Sequence, residues 1–123
     1  MSNSVIAPAI LAENAEQYKE QVNKITGLVE RVHIDISDGE FAPTLTVGIP
    51  ELWAPEGWMI DIHAMVNDVA EYVPKLISLR PHMIIIHAEA TGDVKTTLMQ
   101  IRQAGVMAGL ALLKQRFRER LRN

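Results

Sequence analysis

Residues Val32 to Ser37 read V-H-I-D-I-S, branched apolar side chains alternating with polar ones, and Asp38-Gly39 follows at once. A period of two belongs to an extended strand, whose successive side chains point to opposite faces. Val32, Ile34 and Ile36 therefore pack one way and His33, Asp35 and Ser37 the other, and Asp38-Gly39 turns the chain. An imidazole and a carboxylate two residues apart at a strand's C-terminal end suit holding a metal ion or moving a proton. A half-buried strand whose polar face meets water gives the same pattern.

The pattern recurs. In Trp58 to Val66, W-M-I-D-I-H-A-M-V, residues Asp61, His63 and Met65 share one face and Ile60, Ile62 and Ala64 the other. In Met83 to Glu89, M-I-I-I-H-A-E, His87 and Glu89 stand near the end. Three strands that each end on a histidine and an acid two residues apart bring those groups together in a barrel, where chemistry sits at the C-terminal ends of the strands.

The intervening segments read as helices. Asn14 or Glu13 can open one whose apolar stripe is Ala15, Tyr18, Val22, Ile25 and Val29, with Gly27 weakening its last turn. Asn67-Asp68 offers cap chemistry to a helix using Val69, Val73, Leu76 and Leu79. Pro74 fits that helix only in its first turn, and Pro81 marks the stop. Thr91 or Asp93 starts a third, carrying Val94, Leu98 and Ile101 and ending at Gly105. Val5–Leu11 and Val106–Leu112 read as the first and fifth strands. Between Gly39 and Trp58, three prolines and two further glycines predict a long loop with at most a short helix near Pro50–Ala54. Trp53 and Trp58 are expected to pack beside this loop, and His82 to sit in an exposed one. Strand–helix alternation with connections of this size predicts an α/β fold: a parallel sheet with outer helices.

With 123 residues, 48% of them apolar, the chain holds one real core. The absence of cysteine excludes disulfides, thiolate metal sites and a cysteine nucleophile. The apolar runs fall short of the ~20 residues of a membrane span, and Met1–Ser4 lacks signal-peptide character. A cytoplasmic enzyme or its relic is the reading. Net charge is −3, with +4 in the last ten residues and −7 in the other 113. An acidic body with a short basic tail does not describe a nucleic-acid-binding domain.

The runs I-A-P-A-I-L-A at Ile6–Ala12, H-I-D-I-S-D-G-E-F at His33–Phe41, P-T-L-T-V-G at Pro43–Gly48, D-I-H-A-M-V at Asp61–Val66 and H-A-E-A at His87–Ala90 resemble ribulose-phosphate 3-epimerase. The blocks fall in the family's order and spacing, from about Val5 to Leu112. The resemblance implies a partial TIM (β/α)8 barrel of about five parallel strands over residues 1–112, followed by a basic tail over 113–123. It also implies an isomerase of pentose phosphate metabolism, converting D-ribulose 5-phosphate to D-xylulose 5-phosphate. By resemblance, one divalent metal ion (Zn, Fe, Mn or Co) is the cofactor, with no organic cofactor. Its ligands match His33, Asp35 and His63, and Asp35 also matches a catalytic acid/base. Ala9, Met65, His87 and Glu89 match positions near the substrate, the last two as members of a polar interior network. Asp38-Gly39 reads as turn chemistry.

The chain also departs from the family. Ala9 stands where the family usually has Ser, and Ser37 where it has a Met that shields the reaction face. The family's opposing acid/base and its phosphate-binding backbone lie on later strands, and here the sequence continues instead as K-Q-R-F-R-E-R-L-R-N. Leu113, Phe117 and Leu121 predict an amphipathic terminal helix, with a strand bearing a basic face as the alternative. Weak or absent epimerase turnover is therefore expected, the alternatives being an inactive half-barrel that self-associates or binds a partner, and a truncated product without a selected role. A homodimer is favoured, because exposed edge strands are a liability for a monomer. The sister decarboxylase branch, marked by Asp-x-Lys-x-x-Asp, is rejected because Asp35-Ile36-Ser37-Asp38 has no lysine.

Overall fold

The computed structural model describes residues 7–42 and 45–113 of the chain. Val5 and Ile6 of the expected first strand, Pro43-Thr44 and the basic tail from Lys114 onward lie outside the described residues. The elements are β1 (Ala9–Ile10), α1 (Ala15–Ile25), β2 (Arg31–Ser37), a 3₁₀ turn (Ile49–Glu51), β3 (Met59–Met65), α2 (Val69–Ile77), β4 (Met83–His87), α3 (Val94–Gln103) and β5 (Met107–Ala111). The five strands form one parallel sheet in chain order. Parallel neighbours in sequence order need crossovers of one hand, which puts their helices on one face. That is the arrangement of a TIM-barrel portion, not of a doubly wound sheet.

Period-two alternation sorts the two faces. Val32, Ile34, Ile36, Ile62, Ala64, Ile84 and Ile86 are buried and form one apolar cluster with Tyr18 and Val22 of α1, Val69, Val73 and Leu76 of α2, and Ile101 of α3. Full burial of an apolar side chain of this size contributes roughly 1.5–3 kcal/mol. The other face carries His33, Asp35, Asp61, His63, Met65, Met83, Ile85 and His87.

All three α-helices among the described residues begin on a side-chain cap. Asn14 accepts from the Gln17 N–H, Asp68 from Glu71 and Asp93 from Thr96. Each satisfies an amide that the first turn leaves without a partner. Among these residues Asn14 and Asp93 resolve two alternatives left open by the sequence.

Four details differ from expectation. Among the described residues the paired part of β1 is Ala9–Ile10, although the Pro8 carbonyl already accepts the His33 N–H at 2.9 Å. α1 stops at Ile25, because Thr26 is extended and Gly27 has φ +85°, so Val29 packs on the core from outside the helix. Pro74 lies inside α2 and not in its first turn. Both Pro74 and Ala70, whose carbonyl loses the i+4 donor, are exposed, so water can satisfy that oxygen. His82 is half-buried, its N–H donating to the Ile60 carbonyl at 2.7 Å.

Among the described residues the long β2–β3 loop contains one 3₁₀ turn where a βαβ unit would place a helix. Leu52 of this loop packs against the core. Tyr18 donates its hydroxyl to the Trp53 carbonyl at 2.6 Å, with the two rings edge to face at 6.0 Å. Burial raises the Tyr18 pKa, against a smaller lowering by that carbonyl contact. Among the described residues no helix is long and apolar enough to cross a membrane.

Candidate functional site

β2 and β3 run in register with Asp35 opposite His63 and His33 opposite Asp61. That register places the C-terminal halves of the two polar faces side by side. Asp35 Oδ1 then stands 3.1 Å from His33 Nε2 and 3.0 Å from His63 Nδ1. The three residues offer ligand atoms that all lie within 4.8 Å of one another, and each is partly open to solvent. Two imidazole nitrogens and a carboxylate oxygen suit a borderline divalent ion, leaving positions for water or substrate. The three residues that the resemblance implies as ligands thus form a candidate metal site.

β4 extends the cluster. His87 Nε2 lies 2.7 Å from His63 Nε2, and the Phe41 ring covers the His87 ring at 4.8 Å. On the far side, His87 Nδ1 is buried without a hydrogen-bond partner, 3.8 Å from Glu89 Oε1. At 3.8 Å this is an electrostatic contact and too long for a hydrogen bond. Glu89 Oε1 itself accepts the Leu113 N–H at 2.9 Å. Burial pushes the His87 pKa down, His63 adds to that, and Glu89 opposes it, so the ring is held toward its neutral form.

Ala9 sits opposite His33 in the β1–β2 register, on the same face but exposed and with no side-chain polar group to offer. Met65 sits opposite Ser37 and is half-buried, and its carbonyl accepts the Asp38 N–H at 3.4 Å. Ser37 is buried, and its N–H donates to Thr46 Oγ1 at 2.8 Å.

Sequence reasoning missed the supports beneath this cluster. Asp38, read as turn chemistry, is a hub: Oδ1 accepts the Glu40 and Phe41 N–H groups, each at 2.9 Å, and Oδ2 accepts Asn67 at 2.8 Å. Desolvation would raise its pKa, but these backbone donors outweigh it and the pKa is lowered. The same carboxylate ties the start of the loop to the end of β3 and fixes Phe41 over His87. Thr46 and the Arg31–Asp61 ion pair also went unread, since no local period marks them.

A model of the ribulose-phosphate 3 epimerase family matches residues 5–121 of the chain. Ribulose-phosphate 3-epimerase from Mycobacterium tuberculosis (strain H37Rv) is 31% identical over 111 residues, covering 88% of this chain and 48% of the relative. The Bacillus subtilis protein of that name is 30% identical over 111 residues, covering 87% and 51%. The Chlamydia pneumoniae protein of that name is 37% identical over 83 residues, covering 65% and 36%. The chain spans about half the length of the relatives with which it aligns over 111 residues.

Proposed function

This chain belongs to the ribulose-phosphate 3-epimerase family, and from that premise we propose that its polar sheet face serves inversion at C3 of D-ribulose 5-phosphate to give D-xylulose 5-phosphate. His33, Asp35 and His63 would hold one divalent ion, of the Zn, Fe, Mn or Co class, and Asp35 takes the C3 proton from one face, while inversion needs a second acid to deliver a proton to the opposite face. The observation that carries the reading is the shared Asp35 Oδ1, 3.1 Å from one imidazole nitrogen and 3.0 Å from another. A divalent ion bound there supplies positive charge to the oxyanion that develops when a proton beside a ketone is removed. His33 and His63, on neighbouring strands, orient the carboxylate toward the open side of the sheet. Ala9 and Met65 flank the place of the sugar, and His87 with Glu89 form its polar wall. A sugar phosphate carries charge that resists membrane passage, so the reading puts this work in the cytoplasm.

The test has two readouts. Cobalt(II) added to the metal-free protein should give d–d absorption with a 1:1 endpoint, absent in His63→Ala. In D₂O with the metal present, the C3 hydrogen of D-ribulose 5-phosphate should exchange for deuterium by proton NMR. Asp35→Asn should slow that exchange by roughly 10²–10⁴-fold. Exchange by the parent no faster than by Asp35→Asn would remove the epimerase reading.

A second reading, assembly with another copy, has its own observation. Among the described residues β5 pairs only with β4, and Met107, Leu110 and Leu112 are 54%, 53% and 56% exposed. An apolar, unpaired edge strand favours association. Light scattering should give the mass of a dimer at micromolar concentration; a clean monomer would remove this reading.

A further inference from the structure

The helix side of β5 is bare where that of β4 is covered. Ile84 pairs in register with Ala108 and Ile86 with Leu110, so Ala108, Leu110 and Leu112 lie on the face of the sheet that carries the helices. Ile84 and Ile86 are fully buried there, and Ala108 packs against the core. Leu110 and Leu112, by contrast, are 53% and 56% exposed. α3 packs on β4 and β5 but leaves this end of the last strand open. An apolar sheet face is stable when a further layer buries it, and among the described residues no element covers these two leucines.

We propose that the chain's own residues 114–123 form the cover, with Phe117 set over Leu112 and Leu121 over Leu110. The segment starts beside the patch. Leu113, the last described residue, donates its N–H to Glu89 Oε1 at 2.9 Å, which fixes where the chain leaves the sheet. Lys114, Gln115 and Arg116 then suffice for the reversal, since a strand joins a helix through roughly 2–6 residues. The spacing also matches. Phe117 and Leu121 are four residues apart, about 6 Å along a helix. Leu110 and Leu112 are two apart, about 6.6 Å along a strand. A helix running back over β5 therefore brings one apolar side chain to each leucine. An extended segment would instead put Glu119 on the same side as Phe117 and Leu121. Arg118 and Arg120 flank the apolar stripe, and their long stems carry the charge past the leucines to water. Tethering favours this occupant over a second copy. A segment joined so close to the patch has a roughly millimolar effective concentration, far above that of another molecule in dilute solution. Met107 lies on the opposite face of β5, so the cover leaves the strand's edge open to another copy.

The chain has no cysteine, so introduced thiols report without background. Treated with a short bis-maleimide, the Leu110→Cys, Leu121→Cys variant should join within one chain. It should do so roughly tenfold faster than Met107→Cys, Leu121→Cys, whose first thiol lies across the sheet, because crosslinking follows effective concentration. Equal rates for the two variants overturn the proposal. A covalent dimer as the main product also overturns it and assigns the patch to a second copy. Proton NMR on the parent needs no substitution at the patch and stands even if a cysteine variant fails to fold. Overhauser contacts from the Phe117 ring to the Leu112 methyls should appear and persist when labelled protein is diluted into unlabelled protein. Their absence, or contacts found only between differently labelled copies, overturns the proposal. Neither measurement depends on the epimerase reading.

Discussion

Arg31 and Asp61 form an ion pair beneath His33, with Arg31 Nε and one terminal nitrogen each 2.9 Å from the same Asp61 oxygen. Asp61 is 4% exposed, and its other oxygen is buried with no hydrogen-bond partner. The carboxylate therefore depends on one guanidinium for its compensation. Arg31→Met should destabilise the protein by about 3 kcal/mol, the low end for a broken buried pair because Arg31 is a third exposed. Adding Asp61→Leu should recover most of that loss. Urea unfolding of the single and double variants measures both, and a single variant within ~0.5 kcal/mol of the parent, the spread of an ordinary surface change, contradicts the claim.

Gly109 is set by its neighbour on β4. A Cβ at this position would lie 2.9 Å from Ile85 Cγ1 and 3.5 Å from Ile85 Cβ. Gly109→Ala should therefore cost about 1–3 kcal/mol through overpacking. The penalty should largely disappear in an Ile85→Ala background. Thermal unfolding of the four-member cycle gives the coupling, and simple additivity would mean the contact is not the cause.

Asp38 gives the fold a pH dependence of defined sign. Its folded pKa is below the ordinary aspartate value of 3.8, so its contribution is present above that value and is lost as pH falls through the folded pKa. Parent and Asp38→Asn should differ in urea midpoint at neutral pH, and the gap should close below about pH 4. A gap unchanged from pH 7 to pH 3 would show that charge on Asp38 plays no part.

Tyr18→Phe removes the hydroxyl that donates to the Trp53 carbonyl while leaving the edge-to-face ring contact in place. The expected loss is about 1 kcal/mol, with more if the carbonyl stays dry. Trp53 fluorescence should shift as the loop loosens, and unchanged stability with unchanged emission would rule the anchor out.

Much of this protein is legible in the chain alone. The alternation in Val32–Ser37 and Trp58–Val66 identifies the strands and sorts their faces, because the pleat acts on each residue and its immediate neighbours. The caps at Asn14, Asp68 and Asp93 are equally local. The candidate ligands His33, Asp35 and His63 were visible as polar positions on strand ends, and the family resemblance gave them a common purpose.

What only the tertiary structure decided is which of these groups touch. The register opposing Asp35 to His63 sets the 3.0 Å contact, and the position of β4 brings His87 to His63. Asp61 alternated correctly onto the polar face, but nothing around it announced a guanidinium thirty residues earlier in the chain. Asp38 looked like a turn residue and proved also to hold Asn67, just past the end of the next strand. Pro74 reads as a helix breaker until the exposure of Ala70 is known. Alternation and capping arise within a few residues, so one chain segment suffices to specify them. Distances between side chains on different strands depend on register, twist and packing of the whole sheet, and no segment carries those by itself.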